Sequence, residues 1–69
     1  MRRDVVTQVI VEYEDGVENF ATRFEAERFI AANPGETPLA AWLEDMQGRQ
    51  KARYEIVFDA AGGVELVEL

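Results

Sequence analysis

The run Val5-Val6-Thr7-Gln8-Val9-Ile10-Val11-Glu12-Tyr13, followed at once by Glu14-Asp15-Gly16-Val17, carries most of the structural information in this chain. β-Branched and aromatic residues dominate it, the types that fit a pleated, half-buried surface, so it predicts a strand. Asp-Gly between two such runs predicts a two-residue hairpin turn of type I′, with positive φ at both central residues. That turn sets Glu14 opposite Val17, Glu12 opposite Asn19 and Val11 opposite Phe20. Val9, Val11, Tyr13 and Phe20 then share one face, with Glu18 at its rim. A slip of one residue would send Phe20 to the other side.

Thr22-Arg23-Phe24-Glu25 is a capping box, in which the Thr22 hydroxyl accepts from the Glu25 amide and the Glu25 carboxylate from the Thr22 amide. Ala26, Phe29, Ile30 and Asn33 follow at helical spacing and predict a helix whose apolar stripe lies on the hairpin. Asn33-Pro34-Gly35 ends it, because the residue before proline is pushed out of the α region. The string Phe20-Ala21-Thr22-Arg23-Phe24-Glu25-Ala26-Glu27-Arg28-Phe29-Ile30 resembles the strand-into-helix junction of several small α+β modules, including the arm-type domains of phage integrases. Capping chemistry accounts for the likeness, the integrase arm is basic where this chain is acidic, and no function is carried over.

Thr37-Pro38 predicts the cap and first position of a second helix. Leu39, Trp42, Leu43 and Met46 supply its stripe at i, i+3, i+4 and i+7, which makes Trp42 a core residue. Gly48 closes it, and Arg49, Lys51 and Arg53 follow where positive charge suits the helix end. Tyr54 to Asp59 alternates like a strand, Ala60-Ala61-Gly62-Gly63 turns, and Val64 to Leu69 returns. A two- or four-residue loop there sends Ile56, Phe58, Val67 and Leu69 inward and Val57, Val64 and Leu66 outward. The expected fold is α+β: a single small domain over residues 1–69 in ββααββ order, one antiparallel four-stranded sheet with two helices on one face. Its other face, with Val6, Ile10, Val57, Val64 and Leu66, is mixed where a solvated face should alternate cleanly to polar.

Sixty-nine residues, 48% hydrophobic and 30% charged, fit one folded domain. Cores of this size supply only about 3–5 kcal/mol, and the usual staples are missing because the chain has neither cysteine nor histidine. No apolar run approaches the roughly 18 residues of a membrane span. The leading Met-Arg-Arg-Asp with the run after it makes a poor signal peptide. Cytoplasmic residence is the default expectation.

The chemistry the chain lacks narrows its function. Without His, Cys or Ser, Ser–His and Cys–His nucleophiles and the common zinc sites are excluded. Thr7, Thr22 and Thr37 have no imidazole base, and Gly62-Gly63 precedes neither a helix nor a lysine that would make a phosphate loop. Glu12-Tyr13-Glu14-Asp15-Gly16 does not match a calcium-binding EF-hand loop. A hydrolytic carboxylate pair would need a concave pocket. No catalytic residue, cofactor or metal is expected.

The net charge is −7, and it is segregated. Glu12, Glu14, Asp15 and Glu18 lie in one baseless stretch, and Glu55, Asp59, Glu65 and Glu68 in another. Direct nucleic-acid binding is disfavoured. These eight acids suggest a non-enzymatic module that presents carboxylates to a larger basic, nucleic-acid-handling protein. Its most concrete form is a phage-encoded inhibitor of the anti-CRISPR or DNA-mimic type. Duplex DNA carries one charge per about 1.7 Å, hence about 15 over the roughly 25–30 Å expected of this fold. The net charge supplies about half that, so mimicry requires the acids to converge on one side. The alternative is a homodimer or larger homo-oligomer joined through Val6, Ile10, Val57, Val64 and Leu66.

Overall fold

A computed structural model describes residues 6–69. The elements run β1 (Thr7–Tyr13), β2 (Gly16–Phe20), α1 (Arg23–Ala32), β3 (Ala40–Asp45), β4 (Gln50–Phe58) and β5 (Val64–Glu68). The five strands form one antiparallel sheet in the order β2-β1-β3-β4-β5. This corrects the ββααββ expectation of four strands and two helices: the described residues hold one helix, and the segment read as the second is a central strand.

The reason lies in β1. Val9, Ile10 and Val11 are all buried: the helix covers Val9 and Val11, and Ile10 is shielded on the other face between Asn19 and Trp42, so the β1 backbone lies in the interior. With β2 on one edge it still exposes a ladder of amides and carbonyls on the other, which must be paired when buried. Ala40–Asp45 pairs along six residues of it, from Thr7↔Asp45 to Glu12↔Ala40. The i, i+4 spacing of Leu39 and Leu43 cannot compete, because a helix this short is marginal without tertiary support. Ala41, Leu43 and Asp45 consequently face the helix side. Ala40, Trp42 and Glu44 face away, and Trp42 is half-buried on the open face rather than in the core.

The first hairpin forms as expected but turns two residues out of the expected register. Tyr13 pairs with Gly16, Glu12 with Val17, Val11 with Glu18 and Val9 with Phe20. Among the described residues none other than glycine has positive φ, so Asp15 does not adopt the left-handed conformation a type I′ turn demands there. Glu14 and Asp15 make the turn and Gly16 leaves it at φ +152°. A two-residue shift preserves the faces, so Phe20 stays beside Val9 on the helix side.

The last hairpin shifts by an odd number of residues. Phe58 pairs with Val64, Ile56 with Leu66 and Tyr54 with Glu68, around a five-residue loop. Val64 and Leu66 therefore belong to the helix side, where Leu66 is 1% exposed, while Val67 and Leu69 are turned out. Asp59 explains the loop length: its carboxylate accepts from the amides of Ala61 (2.9 Å) and Gly63 (2.7 Å), and its carbonyl from Gly62 (3.1 Å). The β3–β4 turn is built identically on Asp45, which accepts from Gln47 and Arg49 amides at 2.9 Å and, through its carbonyl, from Gly48 at 3.0 Å. Gly48 and Gly62 occupy the same turn position at φ +80° and +88°, where a side chain would be strained. Asp45-Met46-Gln47-Gly48 and Asp59-Ala60-Ala61-Gly62 thus form a repeated turn signal, Asp-x-x-Gly, that hydrophobic periodicity does not reveal.

Asp45 also accepts from the Arg49 guanidinium at 3.0 Å. Donation from the Arg49 amide above all, then from the Arg49 guanidinium and the Gln47 amide, holds its carboxyl below the usual range although burial pushes it up. A depressed folded pKa contributes stability above the unfolded value, and that contribution is lost as pH falls through the folded one. Asp45→Asn is therefore expected to destabilise the protein at neutral pH. The gap from wild type should close on acidification below about pH 4, the unfolded value, when unfolding midpoints are compared across pH.

The helix is capped as predicted at its start, with Thr22 Oγ1 accepting from Glu25 at 3.1 Å. The Glu25 carboxylate reaches the Ala21 amide (3.2 Å) rather than that of Thr22. Ala26 and Ile30 are buried against Val9, Val11, Tyr13, Ala41 and Leu66, with Phe20, Phe29 and Ile56 packed around them. Helix α1 contacts β1, β2 and β5. Since β2 and β5 are opposite margins of the sheet, the sheet curls around the helix.

Glu27 fastens that closure. Its Oε2 accepts from the Leu66 amide at 2.8 Å, on the edge of β5 that no strand among the described residues covers. Glu27→Ala is expected to cost about 1.5–3 kcal/mol, the worth of a hydrogen bond to a charged group. It should also speed hydrogen exchange at the Leu66 amide while sparing Val67, which pairs toward β4; Glu27→Gln should retain most protection.

Candidate functional site

β1 and β4 run in the same direction, each antiparallel to β3. The β1–β2 turn, the β4–β5 turn, the 33–39 segment and the C-terminus of α1 therefore meet at one end of the sheet. The β3–β4 turn, the start of α1 and the end of β5 lie at the other. This polarity sorts the charges.

At the first end are Glu14 and Asp15 in the β1–β2 turn, Glu36 in the 33–39 segment and Asp59 in the β4–β5 turn. Glu12 lies one row in, on the open face, and Glu18 on the helix side of β2. Glu55 and Glu65 stand on the open face of the β4–β5 hairpin in the same half of the sheet. Glu68 does not join them: it sits opposite Tyr54 at the far end of β5. Glu36 was missed from sequence because it stood between two expected helices; the fold carries it to the tips of the first and last hairpins. The helix C-terminus adds negative partial charge, with no basic residue in its last turn.

Among the described residues positive charge is placed elsewhere. Arg49 and Lys51 lie at the β3–β4 turn, Arg23 at the start of α1 with its guanidinium 5.8 Å above the Tyr54 ring, and Arg28 midway along the helix. Arg53 is on the open face beside Trp42. Among the described residues the ion pair within 4 Å is Arg49–Asp45, at the basic end. No arginine among the described residues forms an ion pair at the acidic end.

Two hollows flank the 33–39 segment and share Glu36 and Thr37. One, of about 440 Å³, is lined by Tyr13, Glu14, Asp15, Gly35 and Leu39. The other, of about 320 Å³, is apolar, between Ile30, Pro34, Pro38, Phe58 and Val64. Leu39 and Phe58, at 61% and 58% exposed, bring large apolar surface to the same end. Tyr13 is 5% exposed and its hydroxyl is buried without a hydrogen-bond partner. Burial, then the charges of Glu36 and Glu18, pushes its pKa up. Among the described residues no three acidic side chains are grouped closely enough to hold a metal ion, and no helix is long and apolar enough to cross a membrane.

The open face of the sheet carries Val17, Ile10, Ala40, Trp42, Val57 and Val67 among Gln8, Glu12, Asn19, Glu44 and Glu55. Asn19 donates to Gln8 at 2.9 Å and the Trp42 indole to Glu44 at 3.0 Å. Ile10, between Asn19 and Trp42, is 4% exposed, and Val57 is 37% exposed. Of the residues expected to form an oligomer face, Ile10 and Val57 are here and Val6 lies just before β1. Val64 and Leu66 are on the opposite side.

No known protein family matches this chain, and no curated protein or solved structure is detectably similar to it.

Proposed function

We propose that this protein is a non-enzymatic binding module whose acidic end docks on the basic surface of a larger, nucleic-acid-handling protein and blocks that surface. One observation carries the reading: carboxylates from three separate loops and two strands are gathered at one end, with the five bases among the described residues placed elsewhere. Gathering like charge is unfavourable for folding and favourable for steering toward a positive groove. The molecule does not resemble a duplex as a whole. Its extents are 45 × 24 × 20 Å, longer than its chain length suggested, and DNA would carry about 26 charges over the longest. The acidic end alone is the complementary surface.

The test is capture on the immobilised full chain from cells that produce it, in a salt series. Between about 0.1 M and 1 M salt the screening length falls from about 10 Å to about 3 Å. A specific partner should be released across that range and compete with added duplex DNA. A partner held equally at both salt concentrations, or indifferent to DNA, would overturn the reading.

A second reading is self-association through the open face, favoured by half-buried Trp42 beside Ile10 and Val57. Sedimentation at high protein concentration decides it: a dimer that Trp42→Ala dissociates supports it, and a monomer throughout rejects it.

A further inference from the structure

Resting on the acidic-end reading, we propose that the two hollows beside the 33–39 segment form one peptide site, receiving an arginine side chain of the partner next to Tyr13 and Glu36 and the adjoining large apolar side chain against Phe58. Two independent features of the first hollow point to a cationic donor. Its rim carries Glu14, Asp15 and Glu36, and its wall contains Tyr13, a nine-tenths-buried residue whose hydroxyl lacks a partner. A buried hydroxyl left unpaired costs roughly 1–3 kcal/mol, and a ligand that hydrogen-bonds it recovers part of that cost. Glu36 is exposed and on the loop, so its side chain can turn aside to admit a donor.

Guanidinium fits better than ammonium. The acceptors stand on three chain segments, and a planar fork of five N–H groups serves several at once. It is also more weakly hydrated, so it enters a partly closed hollow at lower cost. Exposed Leu39 offers an apolar wall for the side-chain stem. The second hollow shares Glu36 and Thr37 with the first, so the two are adjacent and a neighbouring residue of one extended segment reaches it. Its lining by Ile30, Pro34, Pro38, Phe58 and Val64 suits a leucine-sized group.

The experiment is an NMR titration of the full chain with capped dipeptides: arginyl-leucine, citrullinyl-leucine, lysyl-leucine and arginyl-glycine. Arginyl-leucine should give saturable shift changes at Tyr13, Gly35, Thr37 and Gly62. The neutral citrulline peptide should give none, and the lysine peptide should bind more weakly. Arginyl-glycine should bind about fivefold more weakly, as half-burial of a leucine side chain implies. Tyr13→Phe should weaken arginyl-leucine by about fivefold, and Glu36→Gln similarly, with the fold unchanged by circular dichroism. Equal binding of the citrulline peptide, unchanged affinity in Tyr13→Phe, or shifts spread evenly to Glu55 and Glu65 would overturn the proposal. The broader reading fails differently: there the captured partner ignores salt. If the captured partner is salt-sensitive while Tyr13→Phe and Glu36→Gln bind it as wild type does, the acidic end binds but not through this site.

Discussion

Leu66→Ala is expected to lower the unfolding free energy by about 3 kcal/mol, and Val67→Ala by less than about 1 kcal/mol. Leu66 is 1% exposed among Val9, Val11, Ala26 and Ile30, whereas Val67, its neighbour, is 38% exposed on the open face. Truncating Leu66 removes its transfer energy and leaves a cavity where helix, β1 and β5 meet. For a domain of this length each kcal/mol moves the melting temperature by about 4–8 °C, so a drop of at least about 12 °C should be seen by circular dichroism. Against the roughly 3–5 kcal/mol available to so small a core, the variant should be largely unfolded near physiological temperature. The comparison is also a test of register: if Val67→Ala proved the costlier, the β4–β5 hairpin would pair one residue out of step and the two faces of β5 would exchange.

The second large effect concerns binding. Replacing Glu12, Glu14, Glu18 and Glu36 with glutamine and Asp15 with asparagine should weaken capture of a basic partner by about 10²–10³-fold. Each exposed charge is worth about 0.5–1 kcal/mol at such a surface, and five act in the same direction. Most of the loss should appear in the association rate, because peripheral charge steers encounter more than it holds the complex. The salt dependence should flatten accordingly. Lys51→Gln, at the opposite end, should leave capture unchanged. All five acids are exposed or half-buried, so the variant is expected to fold. Retained affinity in a folded variant would remove the electrostatic basis of the proposed function.

Fold and site were legible to different depths. Thr22 and Glu25 announced the helix start, Asn33-Pro34 its end, and the β-branched run its strand, because each depends on chemistry within a few residues. The segregation of charge was equally plain. The Asp-x-x-Gly turns at Asp45 and Asp59 were present in the sequence as well; recognising them would have joined β3 to β4 as a hairpin and given the last loop five residues.

The chain alone thus determined the first strand, the capped helix, the lack of His, Cys and Ser, and the surplus of acids. Tertiary structure decided that Ala40–Asp45 is a strand, since a covered β1 needs its second edge paired and that demand outweighs an i, i+4 pattern. It also decided which end the acids share. Strand order, not spacing, carries Glu36 to Glu14 and Asp59 and leaves Glu68 behind, and a loop of odd length turns Leu66 inward. Local sequence sets what each residue prefers; which preference prevails depends on hydrogen bonds and burial supplied by residues far along the chain.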